Sequence, residues 1–269
     1  MKKLKNILLI TIQKLFFFKR ISSFIFDKKY NKVKKVNHNG VDFSFHVPNW
    51  ITLYRAETFS EKEPETLAWI DNFDKDSVFW DIGANVGLYS IYAAKVKNTK
   101  TFSFEPSVFN LEFLAKNIFL NKLESNINII PMALSDSNGI NTFNMSNILW
   151  GGALSTFSKS YDQNGGELDI KFSYKTLGIT SDDAAKIFHL PFPKYIKIDV
   201  DGIEHLILSG MSSILKNADE ILIELSNVFL DQIKISNEIL VANHFVLQEK
   251  INSSNDMIPT NQIWKKSFL

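Results

Sequence analysis

The stretch Val78-Phe79-Trp80-Asp81-Ile82-Gly83-Ala84-Asn85-Val86-Gly87 decides the fold. A short apolar strand runs into an acid, then a glycine turn, then a helix from Leu88 to Lys95. Glycine lets the backbone turn tightly and approach a ligand closely. In open α/β sheets, ligands dock beyond the carboxyl ends of the strands. A nucleotide-like ligand is therefore expected at this turn.

The chemistry of the loop narrows the ligand. A dinucleotide fingerprint starting at Gly83 needs glycine at positions 85 and 88, and the chain has Asn85 and Leu88. A phosphate loop ends in Gly-Lys-Ser/Thr, whereas Gly87 is followed by Leu88-Tyr89-Ser90. Asp81 at the loop's mouth repels phosphate. It favours the ammonium and sulfonium of S-adenosylmethionine (SAM).

Two more segments fall in register with the first. Phe104-Glu105-Pro106-Ser107 ends the next strand, 24 residues after Asp81. An acid there accepts hydrogen bonds from both ribose hydroxyls, each worth about 1.5–3 kcal/mol to a charged acceptor. Taken alone, Glu105 is also a helix N-terminal acid that complements the dipole. The third segment is Tyr195-Ile196-Lys197-Ile198-Asp199-Val200-Asp201-Gly202-Ile203-Glu204-His205. Alternation buries Ile196 and Ile198 and sets Lys197 and Asp199 on the other side of the strand. Methyl transfer needs aligned reactants and a group that removes the acceptor's proton. Asp199, Glu204 and His205 are the candidates for that catalytic role. Asp201 and Glu204 equally suit the first turn of a helix, with Asp201 as its cap.

Around these segments strands and helices alternate. Strands are expected over Thr101–Phe104, Ile127–Met132, Tyr195–Ile198, Glu220–Leu225, His244–Gln248 and Gln262–Lys265. Helices are expected over Ser107–Asn121, from Ile203 to Lys216 and over Leu230–Ala242. This rhythm predicts an α/β fold with a doubly wound, mostly parallel sheet. Residues 61–269 form that domain. Residues 139–176 interrupt it with Gly, Ser and Asn and short β-like runs, as an insert over the acceptor site. Residues 1–60 form an extension, a basic amphipathic helix followed by a β-hairpin around Asn39-Gly40.

Charge is divided unevenly. Residues 1–35 hold eleven bases and one acid, a net +10, and the remaining 19 bases and 28 acids give −9. The apolar run from Ile7 to Ile12 is too short for a spanning helix and lacks a cleavage site. The head reads either as a helix packed on its own domain or as a peripheral contact with an anionic membrane through residues 1–35. The chain has no Cys, which fits a reducing compartment and excludes thiolate chemistry. A cytoplasmic location, at the inner face of the membrane, is the expectation.

The order Asp81-Ile82-Gly83-Ala84-Asn85-Val86-Gly87, Phe104-Glu105-Pro106, Ala133-Leu134-Ser135-Asp136 and Lys197-Ile198-Asp199-Val200-Asp201-Gly202-Ile203-Glu204 resembles the FkbM family of SAM-dependent methyltransferases. The resemblance covers about residues 75–227. It implies a class I, Rossmann-like methyltransferase with seven strands, the last antiparallel. It also implies O-methylation, often of sugars or other natural-product hydroxyls. By family role, Asp81, Gly83, Ala84, Asn85 and Gly87 hold the methionine part, Glu105 and Pro106 the ribose end, and Met132 and Ala133 the adenine. Asp199 borders cofactor and acceptor. Asp201 departs from the family's usual Glu, and Thr180-Ser181-Asp182-Asp183 only partly matches its usual Thr-Leu-Asp-Asp. Trp150 and Tyr161 are candidates for stacking on a sugar ring.

The expected acceptor is a sugar hydroxyl in a surface glycan or its lipid-linked precursor. A small metabolite or a lipid is the alternative. A nucleic-acid partner is not expected, because the body is acidic and its bases do not interleave with aromatics. A non-catalytic SAM-fold binding protein is disfavoured by the intact loop and Glu105. No metal is expected: Asp199 and Asp201 lie two apart on extended chain, and five scattered His show no ligand spacing. The sequence leaves the oligomeric state open.

Overall fold

The computed structural model describes residues 14, 16–24, 28, 30–251, 255 and 257–267. Of the basic head, residues 1–13, 15, 25–27 and 29 lie outside the described residues.

Strands β1 (Val33–His38) and β2 (Val41–His46) pair antiparallel, turning through Asn39 and Gly40 at positive φ. Helix α1 (Trp50–Glu57) follows, started by a capping box between Asn49 and Thr52. Helix α2 (Pro64–Asp71) begins with proline at its first turn. Then come β3 (Val78–Ile82), α3 (Leu88–Lys97), β4 (Lys100–Phe104), α4 (Val108–Asn121) and β5 (Ile127–Ile130).

The expected insert is built of strands. β6 (Ala133–Leu134), β7 (Gly139–Met145), β8 (Ser155–Phe157) and β9 (Phe172–Ile179) form a second sheet in the order β6-β9-β7-β8. After α5 (Ser181–Ile187) the main sheet resumes with β10 (Tyr195–Ile198). The helix expected from Ile203 to Lys216 is broken at Gly210 into α6 (Glu204–Ser209) and α7 (Ser212–Asn217). A Cβ on Gly210 would lie 2.3 Å from the Ser135 carbonyl, so the chain needs glycine where it bends. β11 (Glu220–Leu225), α8 (Leu230–Ala242), β12 (Phe245–Lys250) and β13 (Thr260–Lys266) complete the chain.

The main sheet has seven strands in the order β12-β13-β11-β10-β3-β4-β5. β13 runs antiparallel to both neighbours, and β3, β4, β5, β10 and β11 are mutually parallel. Alternation along the strands divides the core into two layers. Phe79, Tyr195 and Leu222 pack on one face with Ile91 and Leu114, while Trp80, Ile196 and Ile223 pack on the other with Leu240. Phe43, Phe45 and Phe59 join the first layer, so the hairpin and α1 share the core of the larger domain. The same alternation puts Asp81, Lys197 and Glu224 on the α2–α3 side of the sheet.

Candidate active site

The glycine turn forms as expected. Gly83 has φ +85°, and a Cβ there would lie 1.9 Å from the Asp199 carbonyl oxygen, so the β3 loop passes directly against the end of β10. Gly87 also has φ +85° and sits against Leu114. Asn85, at φ 51°, takes the left-handed conformation that Asn tolerates better than most residues. Beyond the strand ends lies a cavity of about 230 Å³. Gly83, Asn85, Glu105, Pro106, Met132, Ala133 and Asp199 all line it.

Asp81, Ala84 and Gly87 do not line the cavity. Asp81 is buried beneath the loop, where Ser90 Oγ donates to its carboxylate at 2.5 Å. Burial raises its pKa, an effect opposed by the nearby Lys197. Glu204 is buried behind the cavity and accepts from the Val200 and Gly202 amides and from Gln232 Nε2. His205 packs edge-on against Phe229 and does not reach the cavity either. Asp201 does not cap the helix, since Ile203 occupies that position. With φ 61°, its carboxylate instead accepts from the amides of Leu154 and Ser155. Trp150 packs at 5.2 Å from Phe113 and 5.5 Å from Tyr30, as a plug against the body.

The segment from Trp150 to Ser155 is tied across the cavity by polar side chains from several elements. Arg55 Nε donates to the Gly151 carbonyl, Asn85 and Asn110 donate to the Gly152 carbonyl, and Asn110 Oδ1 accepts from the Gly151 amide. Sequence patterns around the glycine loop could not reveal these contacts, because each joins residues at least 41 positions apart.

Glu105 is the hub of the cofactor end. Its two oxygens accept from the Asn85 and Ser107 amides at 2.8 and 2.7 Å. Each carboxylate oxygen keeps a lone pair for a ligand hydroxyl. Burial lifts its pKa to about 7, against the pull of those amides. Asn85 Oδ1 and Ser107 Oγ are buried without a partner. An unpaired acceptor, an unpaired hydroxyl and a carboxylate with spare lone pairs thus border one cavity, and they fit the ammonium and ribose of SAM.

At the other end sits a charged cluster. Lys197 is 1% exposed, and its ammonium is 2.5 Å from the Asp199 carboxylate. Burial alone would lower its pKa, but Asp199, Glu63 and Asp81 hold it above the usual range. The lysine in turn holds Asp199 below the usual carboxylate range despite burial. Arg55, Lys62 and Glu224 also line the cavity here. Arg55 and Lys62 stand in no motif, and Glu224-Leu225 reads only as a strand end within the family-like stretch, so the sequence places none of the three in the site. No cluster of three or more His, Cys, Asp or Glu side chains suited to a metal occurs among the described residues.

A family model described as "Methyltransferase FkbM domain" matches residues 81–252. The chain belongs to the FkbM methyltransferase family. A relative, the hexuronic acid methyltransferase AglP of Haloferax volcanii, is 25% identical over 225 residues, covering 80% of this chain and 87% of the relative. Among solved structures, a precorrin-6y C5,15-methyltransferase from Geobacter metallireducens is 16% identical with a TM-score of 0.46, covering 77% of this chain and 88% of that one. The M. jannaschii TYW2 structure in complex with AdoMet is 13% identical with a TM-score of 0.44, covering 87% of each chain. This FkbM member is a SAM-dependent methyltransferase on a seven-stranded α/β sheet. SAM supplies a methyl group on a cationic sulfur; the protein supplies alignment and charge.

Glu105, as the expected ribose ligand, would make cofactor affinity depend on pH. Its carboxylate form can accept from two amides and a ligand hydroxyl at once, while the protonated form loses acceptor capacity. With a pKa of about 7, the binding form is lost as pH falls through neutrality. SAM affinity measured by calorimetry is expected to fall roughly tenfold from pH 8 to pH 6. Glu105→Gln should bind weakly with a flatter profile.

Proposed function

We propose that this enzyme methylates a hydroxyl of a sugar in a surface glycan or its lipid-linked precursor. The observation that carries the reading is the acceptor end of the cavity, where Arg55, Lys62, Asp199 and Glu224 give a charged, hydrogen-bonding wall. Such a wall suits a hydroxyl-rich acceptor better than an apolar one. The likeness to a hexuronic acid methyltransferase supports a sugar. In this reading Glu105 holds the ribose, Asn85 Oδ1 receives the ammonium, and Met132 and Ala133 border the adenine. Asp81, Gly83, Ala84 and Gly87 shape the loop beneath. Asp199 faces the sulfur and acceptor, where its negative charge favours the sulfonium. Residues 1–60 act as an extension that brings Arg55 to the methyltransferase domain of residues 61–269.

The test is transfer of labelled methyl from SAM into cell-envelope glycan extracts, beside nucleic-acid and small-metabolite controls. Label is expected in a sugar methyl ether. Label confined to the controls would contradict the reading.

The same proposal sets the enzyme at the inner face of the membrane. Along the helical residues 16–24, Phe16, Phe17, Phe18, Ile21 and Phe24 are exposed beside Lys19 and Arg20. Aromatic rings next to bases suit the headgroup region of an anionic bilayer. No helix among the described residues is long and apolar enough to cross a membrane. Co-sedimentation with phosphatidylserine-containing vesicles is expected at low salt and to weaken in high salt. Replacing Phe16, Phe17, Phe18 and Phe24 by Ser should abolish it. Binding that survives this replacement would contradict the membrane role.

A further inference from the structure

We propose that Glu224 is the general base that takes the acceptor's proton. The inference rests on the hydroxyl acceptor proposed above. Glu224 lies near the end of β11, one step past the Ile198–Ile223 pairing, beside the position where Asp199 leaves β10. It lines the cavity together with Asp199, Arg55 and Lys62.

The other carboxylates of the cluster are already engaged. Asp199 is ion-paired with Lys197, and Glu63 with Lys62 at 2.9 Å. Asp81 is tied to Ser90 beneath the loop. Glu105 holds two amides at the cofactor end, and Asp201 holds the Leu154 and Ser155 amides. Glu204 is consumed by Val200, Gly202 and Gln232 behind the cavity. Glu224 is half-buried, and its side chain has no hydrogen-bond or ion-pair partner among the described residues, so its carboxylate oxygens are available to a hydroxyl. A base must reach the proton it removes, and a carboxylate spent on a lysine is a weak one.

The environment also tunes it. Burial, then repulsion from Asp199, Asp201 and Glu63, pushes the Glu224 carboxyl well above the usual range, against the pull of Lys197. Arg55 and Lys62 line the same space. A carboxylate whose pKa is raised accepts a hydroxyl proton more readily than an ordinary one.

In the step, the acceptor O–H bond breaks and its proton passes to a Glu224 oxygen. The oxygen's electron pair forms the O–CH3 bond. The S–CH3 bond breaks and its pair remains on sulfur, leaving a neutral thioether. Lys197 keeps Asp199 ionised beside the departing positive charge.

The experiment compares wild type, Glu224→Gln and Glu224→Asp in single-turnover methyl transfer from labelled SAM to the envelope glycan extract, from pH 5.5 to 9. Glu224→Gln is expected to lower the transfer rate about 100-fold or more, the usual worth of a positioned base. Its SAM affinity should stay within about twofold of wild type. The wild-type rate should fall on the acid side, Glu224→Asp should restore part of it with that limb displaced, and Glu224→Gln should lack the limb. A Glu224→Gln rate and profile like wild type would overturn the proposal, and would be the outcome for an acceptor that is already a carboxylate. If wild type labels no extract, the sugar reading fails. The base assignment is then read from SAM calorimetry at pH 6 in two buffers of different ionisation enthalpy. Proton release that is larger in wild type than in Glu224→Gln supports it, and equal release overturns it.

Discussion

Glu105→Ala is expected to weaken SAM binding by about 100-fold or more in calorimetry. The carboxylate serves two partners at once. It aligns the glycine loop through the Asn85 amide and the start of α4 through the Ser107 amide. In the proposed function its remaining lone pairs receive the ribose hydroxyls. A hydrogen bond to a charged acceptor is worth about 1.5–3 kcal/mol, and two such bonds account for roughly 3 kcal/mol or more. A change of about 1.4 kcal/mol is tenfold in affinity. The truncation also leaves the two amides without their partner, which adds to the loss. The fold should survive, because the glycine turn keeps its backbone bonds from the Gly83 and Ala84 amides to the Phe104 carbonyl. Unchanged SAM affinity in a folded Glu105→Ala protein would contradict the cofactor geometry.

The largest loss of stability is expected from Lys197→Met. The substitution keeps most of the volume but removes the cation shared by Asp199, Glu63 and Asp81. Breaking a buried ion pair by removing one partner costs about 3–5 kcal/mol, because the remaining charge is left uncompensated. In a chain of this size that corresponds to a drop of roughly 6–20 °C in the unfolding temperature. The sign with pH follows from the carboxylates. Lys197 holds Asp199 and Glu63 below their ordinary values, so its contribution is present above the usual carboxylate range. It is lost as pH falls through their depressed native values. The gap between wild type and Lys197→Met should therefore narrow in acid. A variant that melts with wild type at neutral pH would show that the cluster is not held by this lysine.

The donor half of the site was legible because it obeys local rules. A strand and a glycine turn fill the ten residues from Val78 to Gly87, a helix starts at Leu88, and Glu105 stands at the matching end of the next strand. Strand alternation also foretold that Lys197 leaves the face of Ile196 and Ile198. It did not foretell that this second face is equally buried, under α2 and α3, which turns an ordinary lysine into the centre of a charge cluster. Glu204 stands in the first turn of α6, as its residue type suggested, but residue type could not tell that Asp201 is a strap and not the cap. The positive φ of Asp201 turns its carboxylate back to Leu154 and Ser155 instead. The acceptor half was not legible. Arg55, Lys62 and Glu224 come from α1, the approach to α2 and β11, and only the folded sheet brings them together. Short β-like runs in residues 139–176 were legible, but not their pairing into a second sheet, whose β7–β9 ladder runs over seven residue pairs.

The most direct test of the account is a structure of the protein bound to S-adenosylhomocysteine. The ribose hydroxyls are expected within hydrogen-bond distance of Glu105, with the amino group at Asn85 Oδ1 and the sulfur facing Asp199 and Glu224. A ligand seated elsewhere, or a ribose that leaves Glu105 untouched, would contradict it.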